Sequence, residues 1–229
     1  MTGRFKPRMD ILPPAQQRLW PELRPAATLG FALYGGTAIA LRLGHRSSVD
    51  FDFFSEKPLD QDAIRAAFGF IAHSTVLQDQ QNTFTVNVPG ASLEGESVKV
   101  SFFGALGFGR VGEPEITEDG VLHVASLDDL MATKTKVILQ RAESKDYRDI
   151  AAMLQAGVDL SRGLAAAREM YGPNFQPSES LKAMVYFDDG DLRTLSQSQR
   201  ACLVKAASGV RDLPHVEILN GQLTASGQD

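Results

Sequence analysis

The sequence has 229 residues, 43% of them hydrophobic and 22% charged, so it is long enough to bury a core as one large domain or two small ones. A formal net charge of −5 argues against non-specific nucleic-acid binding through a uniformly basic surface. A local basic patch is still compatible with this net charge. The single cysteine, Cys202, excludes an intrachain disulfide and a cysteine-based zinc site.

The N-terminal stretch contains basic residues but no apolar segment of the kind that signal peptides carry. No window of the sequence approaches the roughly 18 apolar residues that a membrane-spanning helix needs. We therefore expect a cytoplasmic protein with no membrane partner.

Residues 1–27 are expected to form an irregular lead-in and a short helix, the helix lying in AQQRLWPELR after two prolines. Strand and turn patterns then dominate from 28 to 125, which predicts a sheet domain. Its expected elements, in chain order, are a buried strand in 30–34, a short helix in 37–44 that ends at Gly44, a strand in 49–54, a loop and helix in 55–70, three antiparallel strands within 70–78, 82–90 and 97–104, and a last strand in 120–126.

From 126 to 229 the pattern changes to the 3.6-residue period of amphipathic helices, and no further clear strand is visible. Ser126 and Ser144 stand where helix N-caps are expected. The predicted fold class is α+β, with a mixed β-sheet and flanking helices followed by a C-terminal helical part.

Two aspartates lie inside the strand VDFDFF (49–54), which otherwise has the composition of a buried strand. Because side chains alternate along a strand, Asp50 and Asp52 share one face while Phe51 and Phe53 share the other. Two carboxylates about 6–7 Å apart repel each other unless something positive lies between them. Carboxylate oxygens are ligands that Mg²⁺ prefers, so the pair predicts a magnesium site. The alternative is a solvent-exposed strand face that is merely acidic.

A Gly-Gly pair precedes this strand, between a predicted strand and a predicted helix. Gly35 and Gly36 would let the backbone approach a ligand, and the helix N-terminus would offer its amides to a phosphate. Thr37 adds a hydroxyl in the first turn of that helix. A Gly-Gly pair alone is a weak signal, because any tight strand-to-helix turn needs glycine. Together with the two aspartates that follow it, the pair predicts a phosphate cradle beside a metal site.

Gly35-Gly36, then thirteen residues, then Asp50-Phe51-Asp52 resembles the signature of the DNA polymerase-beta-like nucleotidyltransferase superfamily. The fuller string GGTAIALRLGHRSSVDFDFF looks like the AbiEii/AbiGii toxin branch, nucleotidyltransferases of bacterial abortive-infection and toxin–antitoxin systems. A second block, LDDLMATKTKVILQRAESKDYRDI, is similar to the helical motif of that branch. The motif positions in this block are Lys134, Arg141, Lys145, Asp146 and Asp149.

The resemblance implies a nucleotidyltransferase-like fold and transfer of a nucleoside monophosphate from an NTP to an acceptor hydroxyl, with one or two Mg²⁺ ions as cofactors. With this resemblance, Lys134 is expected to contact the triphosphate and Arg141 to steady the triphosphate or an RNA backbone. The alternatives are that these cations form a solvated helix face and that Asp146 only favours the start of its own helix. Arg46 in the loop GHRSS is expected to meet the triphosphate or the acceptor. The expected acceptor is a tRNA 3′ end or a protein side chain, and the expected partner is a winged-helix antitoxin protein.

The superfamily usually supplies a third carboxylate from a later strand, and the matching segment here is VKVSFFG (98–104). Lys99 and Ser101 are expected on the face of Asp50 and Asp52, with Ser101 at the position of the third acid. Three interpretations follow: a carboxylate from elsewhere substitutes, with Asp146 as the first candidate; the site works with one tightly bound metal and a base from the substrate or water; or the chain binds nucleotide without transferring it. A small-molecule, aminoglycoside-type nucleotidyltransferase is a further alternative.

Overall fold

The computed structural model describes residues 3–90 and 96–225, and the chain folds into two compact units. The sheet unit consists of residues up to 109, 113–125 and from 220 onward. The helical unit consists of residues 110–112 and 126–219. Among the described residues, no helix is both long and apolar enough to cross a membrane.

The described part of the sheet unit contains one eight-stranded mixed sheet with the strand order β1-β7-β8-β2-β3-β6-β5-β4. The strands are β1 (Arg4–Phe5), β2 (Ala32–Tyr34), β3 (Asp50–Phe54), β4 (Thr75–Gln80), β5 (Thr83–Val88), β6 (Val98–Phe103), β7 (Glu115–Thr117) and β8 (His123–Val124). The helices of this unit are α1 (Pro14–Leu19), α2 (Pro25–Thr28), α3 (Gly35–Leu43) and α4 (Gln61–Ala67), with 3₁₀ turns at Met9–Ile11, Trp20–Leu23 and Gly69–His73.

The central strand β3 runs antiparallel to β2 and parallel to β6. One face of these strands forms the core, since Phe51, Phe53, Val100 and Phe102 are all 0% exposed. Their rings pack closely, with the centroids of Phe53 and Phe102 5.3 Å apart. Burial of this apolar face stabilises the sheet and fixes its register, since a slip of one residue would bury the aspartates instead.

The helical unit contains α5 (Leu127–Val137), α6 (Ser144–Gln155), α7 (Leu160–Tyr171), α8 (Pro177–Val185) and α9 (Gln197–Gly209), with 3₁₀ turns at Gly172–Asn174 and Leu192–Thr194. Gly163 on α7 allows a close approach to α5, because a Cβ there would lie 3.0 Å from that of Met131. The predicted mixed sheet followed by helices is confirmed by this order of elements.

Most predicted elements are present, and the N-cap at Ser126 and the C-cap at Gly44 are confirmed. The prediction of an N-cap at Ser144 is wrong, because Glu143 occupies the cap position without a side-chain hydrogen bond. Ser144 is instead the first helical residue, and its amide and hydroxyl both donate to the Asp191 carboxylate at 2.6 Å.

Two further differences concern short elements. The lead-in, predicted to be irregular, contains β1, which pairs in parallel with β7, a strand that the sequence pattern did not predict. Residues 69–73, where a strand was expected to begin, form a 3₁₀ turn, and the strand starts only at Thr75.

Candidate active site

The two strand aspartates lie on the face of β3 opposite to the phenylalanine core, and both are half-buried. The parallel register places Lys99 beside Asp50 and Ser101 beside Asp52, so the predicted strand position of Lys99 and Ser101 is confirmed. Lys99 Nζ lies 3.2 Å from Asp50 Oδ2. This cation partly offsets the repulsion between the two carboxylates.

Gly35 brings the start of α3 directly against Asp52. A Cβ at Gly35 would lie only 2.6 Å from Asp52 Oδ2, and its φ of +73° belongs to the left-handed region that favours glycine. The backbone where β2 meets α3 therefore leaves no room for a side chain beside this carboxylate. The predicted strand-to-helix turn at Gly35 lies on the side of the sheet that carries Asp52.

Gly36 provides the corresponding space for Arg46. A Cβ at Gly36 would overlap the Arg46 guanidinium and would lie 3.3 Å from Ser48 Oγ. The guanidinium also donates to the backbone carbonyl of the neighbouring residue, Ser47, at 2.9 Å. A positive group thus lies at the first turn of α3, where the helix already favours an anion.

Thr37 ties α3 to β3. Its hydroxyl is 1% exposed with the rest of the side chain, is hydrogen-bonded to the backbone carbonyl of Asp50, and lies 2.9 Å from Ser48 Oγ. These bonds fix the position of the strand that carries the aspartates relative to the first turn of α3. The direct contact between Thr37 and a nucleotide that the sequence suggests stays a prediction.

Ser101 is 3% exposed and lies between Asp52 and Thr85 in the register of β3, β6 and β5. Among the residues that the structure describes, no group of three His, Cys, Asp or Glu side chains could hold a metal ion. Asp50 and Asp52, on one face of β3, provide a donor set of two carboxylates. That set fits Mg²⁺, which typically takes one or two protein carboxylates and fills its octahedron with water and substrate phosphate oxygens.

The helical unit contains a buried ion cluster built from α5, α6 and the segment between them. Lys134 Nζ lies 2.6 Å from Asp146 Oδ1 and 2.7 Å from Asp149 Oδ2, and both carboxylates are 0% exposed. Arg141 Nε donates to the other oxygen of Asp146, Oδ2, at 2.8 Å. Each oxygen of Asp146 therefore already has a cationic partner.

Burial alone would raise the pKa of Asp146, but the Lys134 charge and the hydrogen bonds from Arg141 and Lys134 more than compensate, so that the pKa lies below its ordinary value. A carboxylate with a lowered pKa is a weaker proton acceptor. For Asp146 to act directly as a base it would have to leave these partners, and for Lys134 to reach a triphosphate it would have to leave two carboxylates.

Asp149, one of the motif positions in the sequence, is a member of this cluster for which no role was predicted. Its spacing of three residues from Asp146 was the available signal, since residues i and i+3 of a helix share a face. The roles assigned from sequence to Lys134, Arg141 and Asp146 as site residues stay predictions.

Comparison with known proteins adds the family. The family model described as nucleotidyl transferase AbiEii toxin, Type IV TA system, matches residues 22–201, which is most of the chain. An uncharacterized protein of Aquifex aeolicus is 32% identical over 162 residues, covering 69% of this chain and 74% of that protein. A crystal structure from H. pylori, described as that of a candidate nucleotidyltransferase, matches with a TM-score of 0.54 and 16% identity over 84% of this chain and 91% of that one, and this likeness supports the fold.

The match of the family model includes both sequence blocks that carried the resemblance, the Gly-Gly to Asp-x-Asp segment of the sheet unit and the Lys134–Asp149 segment of the helical unit. The mixed sheet with its flanking helices is that of a nucleotidyltransferase fold. The chain therefore belongs to the AbiEii family of nucleotidyltransferase toxins.

Proposed function

We propose that the protein transfers a nucleoside monophosphate from an NTP to an acceptor hydroxyl in a magnesium-dependent reaction, and that it is the toxin of a bacterial toxin–antitoxin or abortive-infection system. The observation that carries the proposal is the close approach of Gly35, at the start of α3, to Asp52, one of two carboxylates on one strand face. Membership of the AbiEii family supports the same reaction class.

Asp50 and Asp52 would hold Mg²⁺, which when bound neutralises phosphate charge and orients the phosphate oxygens. Gly35 and Gly36 keep the start of α3 free of side chains, so that a phosphate can approach the helix N-terminus. Arg46, which lies over Gly36, adds a guanidinium that can pair with phosphate oxygens.

In the proposed transfer, the acceptor oxygen forms a bond to the α-phosphorus while the bond from that phosphorus to the bridging oxygen breaks. Pyrophosphate leaves with the electron pair, and the hydroxyl proton passes to a base. Ser101 cannot serve as that base as a carboxylate would. Asp146 is the protein carboxylate that we propose as helper; its ion pairs with Lys134 and Arg141 favour an indirect role, with water or a substrate phosphate oxygen taking the proton.

The acceptor that we propose is a tRNA 3′ end or a protein side chain. The family description names a type IV toxin–antitoxin system, and this supports an antitoxin partner, for which we propose the winged-helix class. Ser101, in place of a third carboxylate, favours one alternative, a protein that binds nucleotide without transferring it. A small-molecule acceptor of the aminoglycoside type is the other enzymatic alternative.

Incubation of the purified protein with labelled NTPs, Mg²⁺ and total tRNA tests the proposal. We expect label in RNA or protein that is lost on chelation of Mg²⁺ and in Asp52→Asn, which keeps the side-chain shape but removes the charge. Asp62→Asn is the matched control, since Asp62 is an exposed aspartate of α4 in the same unit.

Incorporation that persists in Asp52→Asn would contradict the proposed site. Binding of Mg²⁺–NTP without incorporation into tRNA, protein or an aminoglycoside would favour the non-transferring alternative.

A further inference from the structure

An aromatic surface continues the face of the sheet that carries the two aspartates. Phe54 follows Asp52 by two residues and therefore shares its face, and the register of β3 with β6 places Phe103 beside Phe54. Tyr34 on β2 pairs with Asp52 from the other side. Tyr34 therefore lies level with Asp52, while Phe54 and Phe103 lie on the next level of the same strand face.

The exposure of these rings differs from that of the core phenylalanines. On the opposite face, Phe51, Phe53 and Phe102 are 0% exposed. Phe54 and Phe103, together with Phe108 from the following loop, are only half-buried. A phenyl ring left partly exposed next to a polar site is more informative than one in a core, because nothing in the core packing requires it to be there.

The rings hold one another in place. Phe54 stacks on Tyr34, with centroids 4.7 Å apart and an interplanar angle of 11°. Phe108 meets Phe54 nearly edge-on at 6.3 Å, and Phe103 meets it at 5.4 Å and 82°. Among the aromatic rings of the described residues, Phe103 contacts Phe54 alone, so it is the ring of this group with the fewest aromatic neighbours.

We propose that Phe103, supported by Phe54, is the stacking surface for the base of the bound nucleoside triphosphate. This inference rests on the proposed function, since it assumes that the phosphates lie at Asp50, Asp52 and the Gly35 turn. Two residues of strand separate the level of Asp52 and Ser101 from that of Phe54 and Phe103, about 7 Å. A ribose fits this separation, with its phosphates on the carboxylate side and its base on the aromatic side.

A stacking surface tolerates every base, because each base presents a π-face. We therefore expect all four NTPs to bind, with purines ahead of pyrimidines because their larger rings overlap Phe103 more. Affinity for the base would then add to, and be separable from, affinity for the triphosphate.

The test compares binding of Mg²⁺–ATP and Mg²⁺–tripolyphosphate by calorimetry. Wild type is expected to bind ATP more tightly than tripolyphosphate. Phe103→Ala should weaken ATP binding about tenfold, the effect of losing one base–aromatic stack, and should leave tripolyphosphate affinity unchanged. Phe103→Trp should keep the preference for ATP, whereas Phe103→Leu, which is apolar without a π-face, should lose most of it.

Tyr186→Ala is the matched control, because Tyr186 is an aromatic residue of the helical unit that is 53% exposed. It should change neither affinity. Equal weakening of both ligands in Phe103→Ala, or unchanged ATP binding, would overturn the stacking assignment while leaving the proposed function intact. Failure of wild type to bind tripolyphosphate in an Asp52-dependent way would overturn the phosphate site, and the stacking assignment with it.

Discussion

Gly35 is a residue of the site at which both space and backbone conformation require glycine. Alanine there would place a methyl group 2.6 Å from Asp52 Oδ2 and would force an L-residue to a φ of +73°. We expect Gly35→Ala to lower the free energy of unfolding by about 1–2 kcal/mol and, by displacing Asp52, to lower nucleotide incorporation roughly 100-fold. Urea denaturation and the labelled-NTP assay measure the two effects separately.

Gly69→Ala is the control for this substitution. A Cβ at Gly69 would meet no heavy atom within 4 Å, so both stability and incorporation should stay close to wild type. If Gly35→Ala transferred nucleotide as fast as wild type, the close approach of backbone and carboxylate would have no part in catalysis.

Ser101 supports a second prediction at the same scale. Because it pairs with Asp52 and is 3% exposed, Ser101→Asp would add a third carboxylate to a nearly closed position. Without Mg²⁺ the added charge should destabilise the protein, and with Mg²⁺ that loss should be recovered, which thermal unfolding with and without the metal can measure. We also expect higher magnesium-dependent incorporation. An active wild type with no gain in Ser101→Asp would mean that this protein does not need the third acid.

The helices α5 and α6 are joined by the buried cluster of Lys134, Asp146 and Asp149. Lys134→Ala would leave two carboxylates that are 0% exposed without their shared cation. Breaking a buried ion pair on one side costs about 3–5 kcal/mol, so we expect a loss of that order in the free energy of unfolding. Denaturant titration followed by circular dichroism measures it.

Lys182→Ala is the matched control for Lys134→Ala. Lys182 is also a helical lysine paired with a carboxylate, Glu179 at 2.9 Å, but its side chain is 73% exposed. Removing it should cost about 0–1 kcal/mol. Similar losses in the two variants would contradict the view of the Lys134 cluster as a structural tie, and would favour a Lys134 that is free to contact substrate.

An element could be predicted from the sequence when the residues that determine it are neighbours in the chain. Alternation in DFDFF was enough to assign the faces of β3, because burial of Phe51 and Phe53 decides which way the aspartates point. The strand β1 was not predictable, because two residues carry no periodicity and its partner β7 lies more than a hundred residues away. Ser144 was misassigned for the same reason: its partner, Asp191, is 47 residues further along the chain.

The same distinction applies to the candidate site. The glycine turn and the strand aspartates lie within eighteen residues of one another, so spacing alone could group them. The close approach of Gly35 to Asp52 depends on the antiparallel pairing of β2 with β3, which juxtaposes Tyr34 and Asp52. Asp146 is contacted by two cations, Lys134 of α5 and Arg141 of the segment between α5 and α6. No periodicity in the sequence indicates that both oxygens of Asp146 are already bonded.

For the whole molecule, binding of a ligand should raise the free energy of unfolding. A ligand that binds only the folded protein, present at 100 times its Kd, adds about 2.7 kcal/mol. For a chain of about this length that corresponds to a rise in Tm of about 5–10 °C. We expect Mg²⁺–ATP to produce such a rise and EDTA with ATP to produce little, because two strand carboxylates repel a triphosphate unless a cation lies between them.

Differential scanning fluorimetry of wild type and Asp52→Asn, each with ATP and either Mg²⁺ or EDTA, measures this linkage. Asp52→Asn removes one of the two carboxylates and should lose most of the magnesium-dependent part of the shift, whereas Asp62→Asn should keep it. A shift of equal size in EDTA, or in Asp52→Asn, would mean that the nucleotide binds away from β3. In that case the contact between Gly35 and Asp52 would be a feature of the fold and not of the site.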